Sequence, residues 1–362
     1  MFTDWKLSDL KTPTKGKVFT CFAGGGGSSM GYKLAGFDVV GANEIDPRMS
    51  GLYRENLNPK YLFECPIEEL LTTDLPDDLY DLEILDGSPP CSAFSVAGSR
   101  EKVWGKKKKF REGQSEQILD ELFFQFIALA DRLRPKVVIA ENVKGMLIGN
   151  AKDYVKRIYK VFQKIGYRIN HYLINSQYMG VPQRRERVFF IAVREDIAGG
   201  LDCNPFTNFP EIDMSFHETP ILFREIHEDS PKDYREVKGV VREAWGFREF
   251  GDSNLTPADI RRRPKHYIKR RLEKKGYAAF FNYCLIYRHK VCNTITGKDG
   301  SGSNILFQEP RFLSKTELRK ASTFPADYNF LKSRPGYVCG MSVPPKMTSG
   351  VAERVSKYIL RS

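Results

Sequence analysis

The chain has 362 residues and a formal net charge of +12, and its length allows a large core and two domains. The excess of Lys and Arg favours a polyanionic partner, most commonly nucleic acid. The seven cysteines are scattered and form no C-x-x-C pair, which argues against a zinc site and a disulfide framework and indicates a reducing compartment. We find neither an apolar run long enough to span a bilayer nor a signal-peptide pattern, so we expect no membrane association.

Short β-rich runs alternate with helical patterns from residue 17 to residue 194, and this alternation predicts a parallel α/β sheet. In chain order the predicted strands are 18–22, 39–42, 82–85 and 137–140, followed by a closing pair at 168–175 and 187–193. The predicted helices between them are 28–35, 46–56, 118–133 and 154–165.

The pattern changes after Arg194. Residues 195–310 lose the alternation and carry a dense basic run, with Arg261, Arg262 and Arg263 at its start and aromatic residues after it. Basic residues interleaved with aromatics fit contacts to phosphates and packing on bases or sugars, although a solvated helix face would have the same composition. Residues 311–362 return to helix and loop patterns, so we expect the chain to divide at residues 194 and 310.

A glycine-rich stretch, residues 22–28, closes the first predicted strand and opens the first helix. Its glycines would let a ligand approach the backbone and the helix N-terminus. About twenty residues further on, Glu44 ends the second strand, where a carboxylate can accept both ribose hydroxyls of an adenosine cofactor. NAD enzymes, FAD enzymes and methyltransferases all use this pair, and a tight glycine turn with a surface acid would have the same pattern.

Three further features belong to the carboxyl edge of the predicted sheet. The third strand leads into a Pro-Pro turn that presents Cys91. The two prolines fix the backbone just before Cys91, and a nucleophile needs such a defined orientation. Glu141-Asn142-Val143 follows the strand 137–140 and brings a carboxylate to the same edge. Residues 183–187, Gln-Arg-Arg-Glu-Arg, introduce the next strand and can place fixed cations beside that carboxylate.

In this order, the Phe-x-Gly-x-Gly loop, the Pro-Cys turn, Glu-Asn-Val and Gln-x-Arg-x-Arg resemble the motifs of the cytosine-C5 DNA methyltransferase family of bacteria and phages. The resemblance extends over nearly the whole chain. Residues 311–325 are similar to the family segment that ends in Phe-Pro, and residues 340–345 are similar to its Gly-Asn-Ser-Val-Pro-Pro. Residues 292–296 resemble the Pro-Thr-Ile-Thr that often closes the variable target-recognition region.

The resemblance implies an α/β fold with the Rossmann-like, mostly parallel sheet of S-adenosylmethionine-dependent methyltransferases and a smaller, irregular target-recognition domain. Residues 1–194 would form the catalytic and cofactor-binding domain, residues 195–310 the target-recognition domain, and residues 311–362 would return to the catalytic domain. The implied activity is that of a DNA (cytosine-5-)-methyltransferase. It transfers a methyl group from S-adenosyl-L-methionine to C5 of a flipped-out cytosine through a covalent bond between Cys91 and C6.

The resemblance also assigns roles to individual residues. Cys91 would attack C6, Glu141 would bind N3 and the exocyclic amine, and Arg187 would hold O2, with Arg185 near the thiol or the flipped nucleotide. The expected cofactor contacts are Phe22, Ala23, Gly24, Gly26, Gly27, Glu44, Ile45, Ile67, Ser88, Pro90, Leu122, Ser342 and Val343. The expected DNA contacts are Ser95, Lys106, Lys107, Arg261, Arg262, Arg263, Thr294 and Thr296. No metal site is expected.

Four positions depart from the family pattern. Cys65-Pro66-Ile67 stands where the family has Gly-Asp-Ile, so the carboxylate that meets the adenine amino group is missing and Glu64 or Glu68 would have to replace it. Met341 replaces the tail asparagine, and Ser92 replaces the glutamine that often follows the nucleophile. The arginine expected before the helix around residues 122–124 is also absent. These changes concern binding more than chemistry.

Two other functions stay open. An RNA cytosine-C5 methyltransferase shares the core, although the Cys-Phe-Thr signature of the tRNA-directed branch is absent from residues 195–310; a DNA-binding protein that has lost catalysis is the third hypothesis. A Rossmann dehydrogenase would not explain Cys91, Glu141 and Arg187 together.

We expect a monomer that acts on double-stranded DNA in the cytoplasm of a bacterium or phage-infected cell. Whether a cognate restriction endonuclease acts on the same site stays open. The target sequence cannot be deduced.

Overall fold

The computed structural model describes residues 2–10, 12–90, 121–149, 151–238, 242, 284–297 and 304–361. The predicted nucleophile Cys91 and the predicted DNA contacts Ser95, Lys106, Lys107, Arg261, Arg262 and Arg263 lie outside these residues. Among the described residues, no helix is long and apolar enough to cross a membrane.

The centre of the protein is a seven-stranded sheet with the strand order β3-β2-β1-β4-β5-β8-β6. Its strands are β1 Lys15–Cys21, β2 Phe37–Asn43, β3 Tyr61–Phe63, β4 Ile84–Gly87, β5 Val137–Val143, β6 Tyr167–Asn175 and β8 Glu186–Arg194. Neighbouring strands from β3 to β5 are parallel, whereas β8 runs antiparallel to both β5 and β6. The predictions of a mostly parallel sheet and of a closing strand pair are confirmed, and the structure shows that this pair is antiparallel. β3 is a strand that the sequence analysis did not predict.

Eight α-helices are seen in the part of the chain that the structure describes. They are α1 Gly27–Leu34, α2 Pro47–Leu57, α3 Leu122–Leu133, α4 Ala151–Lys164, α5 Glu195–Ala198, α6 Lys315–Ala321, α7 Pro335–Met341 and α8 Pro345–Val355. Asp46 caps α2, since its side chain accepts a hydrogen bond from the Arg48 N–H and Pro47 occupies the first helical position. The predicted helices 28–35, 46–56 and 154–165 correspond to α1, α2 and α4.

Both faces of the sheet are covered by helices, as the continuous apolar runs of the parallel strands require. On β5, Val138 and Ala140 belong to the apolar cluster with α3 and α4, and Val137 and Ile139 to the cluster with α1 and α8. All four side chains are at most 1% exposed. The protein is therefore a three-layer α/β/α structure in which the carboxyl ends of β1, β2, β4 and β5 share one edge.

Short strands outside the main sheet connect the later part of the chain to this edge. β10, Cys292–Asn293, pairs in parallel with β7, Gln183–Arg184, immediately before β8. A second pair joins β9, Cys284–Ile286, to β11, Asn304–Leu306. The β7–β10 pair brings the Thr294–Thr296 segment next to the start of β8.

The C-terminal helix α8 packs against α1, and Gly31 makes that contact possible. A Cβ atom at Gly31 would lie 2.5 Å from the Pro345 carbonyl oxygen and 2.5 Å from the Thr348 Cβ. Real Cβ atoms do not approach other atoms so closely, so any side chain at Gly31 would push the two helices apart. This contact fixes the last segment of the chain to α1.

We predict that Gly31→Ala lowers the free energy of unfolding by about 1–3 kcal/mol, because the added methyl group overpacks the α1–α8 contact. Gly51→Ala is the matched control, since Gly51 is also helical but nothing lies within 4 Å of its added Cβ. That substitution should stabilise the protein by about 0.5–1 kcal/mol through helix propensity alone. Urea unfolding curves measure both changes, and equal midpoints for the two variants would contradict the tight α1–α8 contact.

Candidate active site

The glycine-rich loop after β1 adopts backbone conformations that leave its ligand-facing side open. Phe22, Gly24 and Gly26 have positive φ angles of 54°, 52° and 86°. Nothing lies within 4 Å of a Cβ placed on Gly24, whereas a Cβ on Gly27 would meet the Val343 carbonyl oxygen at 2.4 Å. The loop is therefore packed against the rest of the protein at Gly27 and open at Gly24.

Glu44 lies directly opposite this open side, at the end of β2. Its Oε2 accepts a hydrogen bond from the Gly24 N–H at 2.7 Å, and its Oε1 accepts one from the Asp46 N–H at 2.7 Å. Burial raises the pKa of the Glu44 carboxyl, against the two N–H groups, which favour its charged form. Because each carboxylate oxygen has a second lone pair, Glu44 can still accept two hydroxyl groups from a ligand.

Several predicted cofactor contacts lie close to Gly24 and Glu44 along the chain or in neighbouring elements. Ala23 is buried and precedes Gly24, Ile45 follows Glu44, and Ile67 and Leu122 belong to one apolar cluster. The Cβ of Ser342 would lie 2.8 Å from a Cβ on Gly27, so the tail motif touches the glycine-rich loop. Ser88 and Pro90, both half-buried, follow β4 on the same edge.

The structure places the two possible substitutes for the missing adenine-binding carboxylate differently. Glu64 hydrogen bonds to the Ser50 hydroxyl and forms an ion pair with Arg54 on α2. Glu68 instead accepts a hydrogen bond from the Gln125 Nε2 at 3.0 Å. Glu64 is thus directed to α2, and Glu68 to α3.

Glu141 and Arg187 form an ion pair at the end of β5. The Arg187 Nε lies 2.8 Å from the Glu141 Oε1, and the side chains are 15% and 10% exposed. The antiparallel register places Arg187 opposite Val143, so the β5–β8 pairing itself delivers the guanidinium to the carboxylate. Burial lowers the pKa of Arg187, against the charge of Glu141. The predicted acid and one predicted cation are therefore brought together.

Asn142, which the sequence analysis did not single out, connects this acid to the cysteine turn. Its Nδ2 donates a hydrogen bond to the Pro89 carbonyl at 3.0 Å, and its Oδ1 accepts one from the Val143 N–H at 2.9 Å. Asn142 is 3% exposed, so this bond is shielded from water. It fixes the backbone two residues before Cys91 to the strand that carries Glu141. The signal in the sequence was the asparagine of Glu-Asn-Val itself.

Arg185 is buried and bonds to main-chain carbonyls. Its Nη1 donates to the Ile295 carbonyl at 2.9 Å, and both Nη atoms lie 3.2 Å from the Gly340 carbonyl. Burial, with the charge of Arg187, lowers the pKa of Arg185 to about 9. Arg185 therefore holds the Thr294–Thr296 segment and the tail motif at the site. Its Nε has no hydrogen-bond partner within the described ranges.

Gln183, two residues before Arg185, also holds the segment around Ile295, a role that the sequence analysis did not predict. Its Oε1 accepts the Ile295 N–H at 3.1 Å, and its Nε2 donates to the Ala321 carbonyl at 3.1 Å. The Thr294 hydroxyl donates to the Arg184 carbonyl at 2.6 Å, and Thr296 is exposed. The two predicted DNA contacts that the structure describes thus lie beside Arg185.

Comparison with known proteins agrees with this architecture. Type II methyltransferase M.FnuDI of Fusobacterium nucleatum is 35% identical over 181 residues, which cover 50% of this chain and 48% of the relative. Type II methyltransferase M.NgoFVII of Neisseria gonorrhoeae is 27% identical over 362 residues, 98% of this chain and 89% of the relative. This chain thus spans about half the length of the first relative and most of the second.

A solved structure of a DNMT2 variant from Spodoptera frugiperda has the same fold, with a TM-score of 0.64 at 17% identity over 94% of this chain and 99% of that one. The family model described as C-5 cytosine-specific DNA methylase matches residues 16–357. That match includes the glycine-rich loop, the Pro-Pro turn, the Glu141–Arg187 pair and the tail motif. The chain belongs to the C-5 cytosine-specific DNA methylase family.

Proposed function

We propose that the protein is a DNA (cytosine-5-)-methyltransferase that uses S-adenosyl-L-methionine. The observation that carries this proposal is the buried Glu141–Arg187 pair, which Asn142 joins to the turn before Cys91. A carboxyl and a guanidinium held side by side match one edge of cytosine, where N3 and the exocyclic amine lie next to O2. Family membership and the Type II relatives support the same activity.

In this proposal each residue has a defined task. Cys91 adds to C6 as a thiolate and makes C5 electron-rich. Glu141 holds a proton at N3 and accepts from the exocyclic amine, while Arg187 donates to O2, so both offset the charge that builds up on the ring. A base within a stacked duplex cannot reach these groups, so the target cytosine must be flipped out.

The cofactor fits the open side of the glycine-rich loop. Glu44 would accept the ribose hydroxyls, and Gly24, with no atom within 4 Å of an added Cβ, leaves room for the ligand beside the loop. Ile45, Ile67 and Leu122 supply apolar surface for the adenine ring. When bound, S-adenosyl-L-methionine supplies the methyl group that C5 accepts.

We also propose the division into residues 1–194, 195–310 and 311–362, with the middle segment recognising the target sequence. The α1–α8 contact supports the return of the last segment to the catalytic domain. The net charge of +12 supports a DNA partner. A monomer in the bacterial cytoplasm, accompanied by a restriction endonuclease of the same specificity, would fit the Type II relatives.

The proposed activity is tested by bisulfite sequencing of DNA from cells that express the protein, together with label transfer from S-adenosyl-L-methionine to purified DNA and to total RNA. We expect protected cytosines within one short DNA sequence. Cys91→Ser should abolish the protection, because an alcohol is far less readily ionised than a thiol with a pKa of about 8.5. Label in RNA but not in DNA would instead favour an RNA methyltransferase. Binding of DNA without any methyl transfer would favour a protein that has lost catalysis.

Glu44→Ala should weaken binding of S-adenosyl-L-methionine by about 1–3 kcal/mol, since ribose hydroxyls would lose a charged acceptor. Glu55→Ala is the control, because Glu55 is an exposed residue of α2 that accepts its hydrogen bond from Asn329 and not from an N–H of the glycine-rich loop. Isothermal titration calorimetry measures both affinities. Equal affinity of the two variants would place the cofactor elsewhere.

Asn142→Ala should lower kcat by about 10–100-fold with little change in the KM for DNA, because the turn before Cys91 loses its fixed position. Lys144→Ala removes a nearby side chain that, among the described residues, pairs with Glu186 at the surface, and it should keep the full rate. Single-turnover methyl transfer compares the two variants. A normal rate for Asn142→Ala would show that the turn does not depend on this bond.

A further inference from the structure

The chain that follows β3 is tied to the end of β2, next to the carboxylate that we assign to the ribose. The Glu44 N–H donates to the Phe63 carbonyl at 3.1 Å. The Asn43 Nδ2 donates to the same carbonyl at 3.1 Å and to the Cys65 carbonyl at 2.8 Å. The short 3-10 helix Ile67–Leu71, which begins shortly after Cys65, is therefore held close to Glu44.

This short helix lies along α3, and two side chains of α3 bond to it. The Gln125 Nε2 donates to the Glu68 Oε2 at 3.0 Å. Further along α3, the Arg132 Nη1 donates to the Leu70 carbonyl at 2.6 Å. Gln125 follows Leu122 by three residues, so the two side chains are neighbours on one face of α3. The Glu68 carboxylate is therefore held beside the turn of α3 that carries Leu122.

The hydrogen bond from Gln125 has a cost that an apolar side chain would avoid. The Gln125 Nε2 must face Glu68, because the carboxylate would repel an amide oxygen. The Gln125 Oε1 then points away, where it is buried and has no hydrogen-bond partner within the described ranges. An unpaired buried oxygen lowers stability. What the amide supplies in return is the N–H that orients Glu68.

Glu68 keeps an oxygen for a ligand, whereas Glu64 is occupied. The Glu68 side chain is exposed, and its hydrogen bond to Gln125, the one found in the described part of the chain, uses Oε2 and leaves Oε1 open. Glu64 instead accepts the Ser50 hydroxyl and pairs with Arg54 on α2. Of these two acids, Glu68 is therefore the one that can accept a hydrogen bond from a bound molecule.

The adenine ring needs such an acceptor. Its exocyclic amino group donates hydrogen bonds and lies on the six-membered ring, away from the bond to the ribose. The side chains that we assign to the faces of the ring, Ile45, Ile67 and Leu122, are apolar and cannot accept from it. With the ribose on Glu44 and the ring against Ile67 and Leu122, the amino group is directed to the side where Gln125 holds Glu68.

We propose that Glu68 accepts a hydrogen bond from the adenine amino group of the cofactor, and that Gln125 is the positioning residue that orients this carboxylate. The proposal rests on the proposed function and deepens it. A carboxylate at this place selects adenine over a purine that carries hydrogen or a carbonyl oxygen at the same carbon, because hydrogen leaves it unpaired and oxygen is repelled. Glu44 and Glu68 then recognise the two halves of adenosine, the sugar and the base.

Isothermal titration calorimetry with two ligands tests the contact without any methyl transfer. The ligands are S-adenosyl-L-homocysteine, which is the cofactor after loss of its methyl group, and its analogue with hydrogen in place of the adenine amino group. The wild-type protein should bind the analogue about 3–10-fold more weakly, since one hydrogen bond to an exposed carboxylate is lost. Glu68→Ala should bind both ligands with the affinity that the wild type has for the analogue.

Two acidic neighbours provide matched controls. Glu69→Ala removes an exposed carboxylate from the next position of the same short helix, so it controls for the loss of charge. Glu64→Ala removes the acid that is directed to α2. Both variants should keep the wild-type ratio of the two affinities. A ratio that is lost in Glu64→Ala and kept in Glu68→Ala would overturn the proposal.

Gln125→Leu separates positioning from a merely structural role. It should lower the ratio of the two affinities about twofold, because Glu68 loses its fixed orientation. Its free energy of unfolding should not fall, because the unpaired Oε1 is removed together with the hydrogen bond. An unchanged ratio, or equal weakening of both ligands in a destabilised protein, would overturn the positioning role.

The outcome for the wild-type protein separates this proposal from the proposed function. If the wild type binds neither ligand, the proposed use of the cofactor fails and the Glu68 contact fails with it. If it binds both ligands equally well, or if the preference survives Glu68→Ala, the cofactor site stands and the Glu68 contact alone is overturned.

Discussion

The hydrogen bond from the Asn142 side chain to the Pro89 carbonyl is the interaction on which the proposed site depends. The turn before Cys91 follows β4, whereas Glu141 lies on β5, and the sheet alone does not fix the turn relative to Glu141. The Asn142 bond fixes the turn to β5 within a buried environment, where it is strong and costly to lose. Attack at C6 and proton donation at N3 require just such a fixed relation between two groups.

A second set of contacts brings distant parts of the chain to the same edge. Gln183 and Arg185 bond to the main chain around Ile295, and Arg185 also bonds to the Gly340 carbonyl. Their partners are main-chain carbonyl and N–H groups. The contacts therefore fix the segments around Ile295 and Gly340 independently of the side chains that those segments carry. Under the proposed division of the chain, the segment 195–310 could change its sequence and still end at one fixed position beside the Glu141–Arg187 pair.

Much of this fold could be predicted from the sequence, because buried parallel strands are short apolar runs separated by helical periods. β3 was not predicted, since three residues are too few to show a period. The start of β1 was also misplaced, because Lys15-Gly16-Lys17 pairs through its backbone without apolar side chains. Residues 118–120 of the predicted helix 118–133 lie outside the described residues, and the described part of that helix is α3. For the site residues at the strand ends, the sequence predicted both the residue types and the edge of the sheet on which they lie. The bonds of Gln183 and Asn142 were not predictable, because they depend on neighbours that are distant in sequence.

In the proposed reaction, Cys91 attacks the ring of a flipped cytosine that Glu141 and Arg187 hold. Incubation with S-adenosyl-L-methionine and duplex DNA that carries 5-fluorocytosine at the target tests it most directly, because fluorine at C5 cannot leave as a proton. Mass spectrometry of the digested complex should find DNA covalently bound to the peptide that contains Cys91. Methyl transfer to ordinary DNA without this adduct, or an adduct at another cysteine, would contradict the claim.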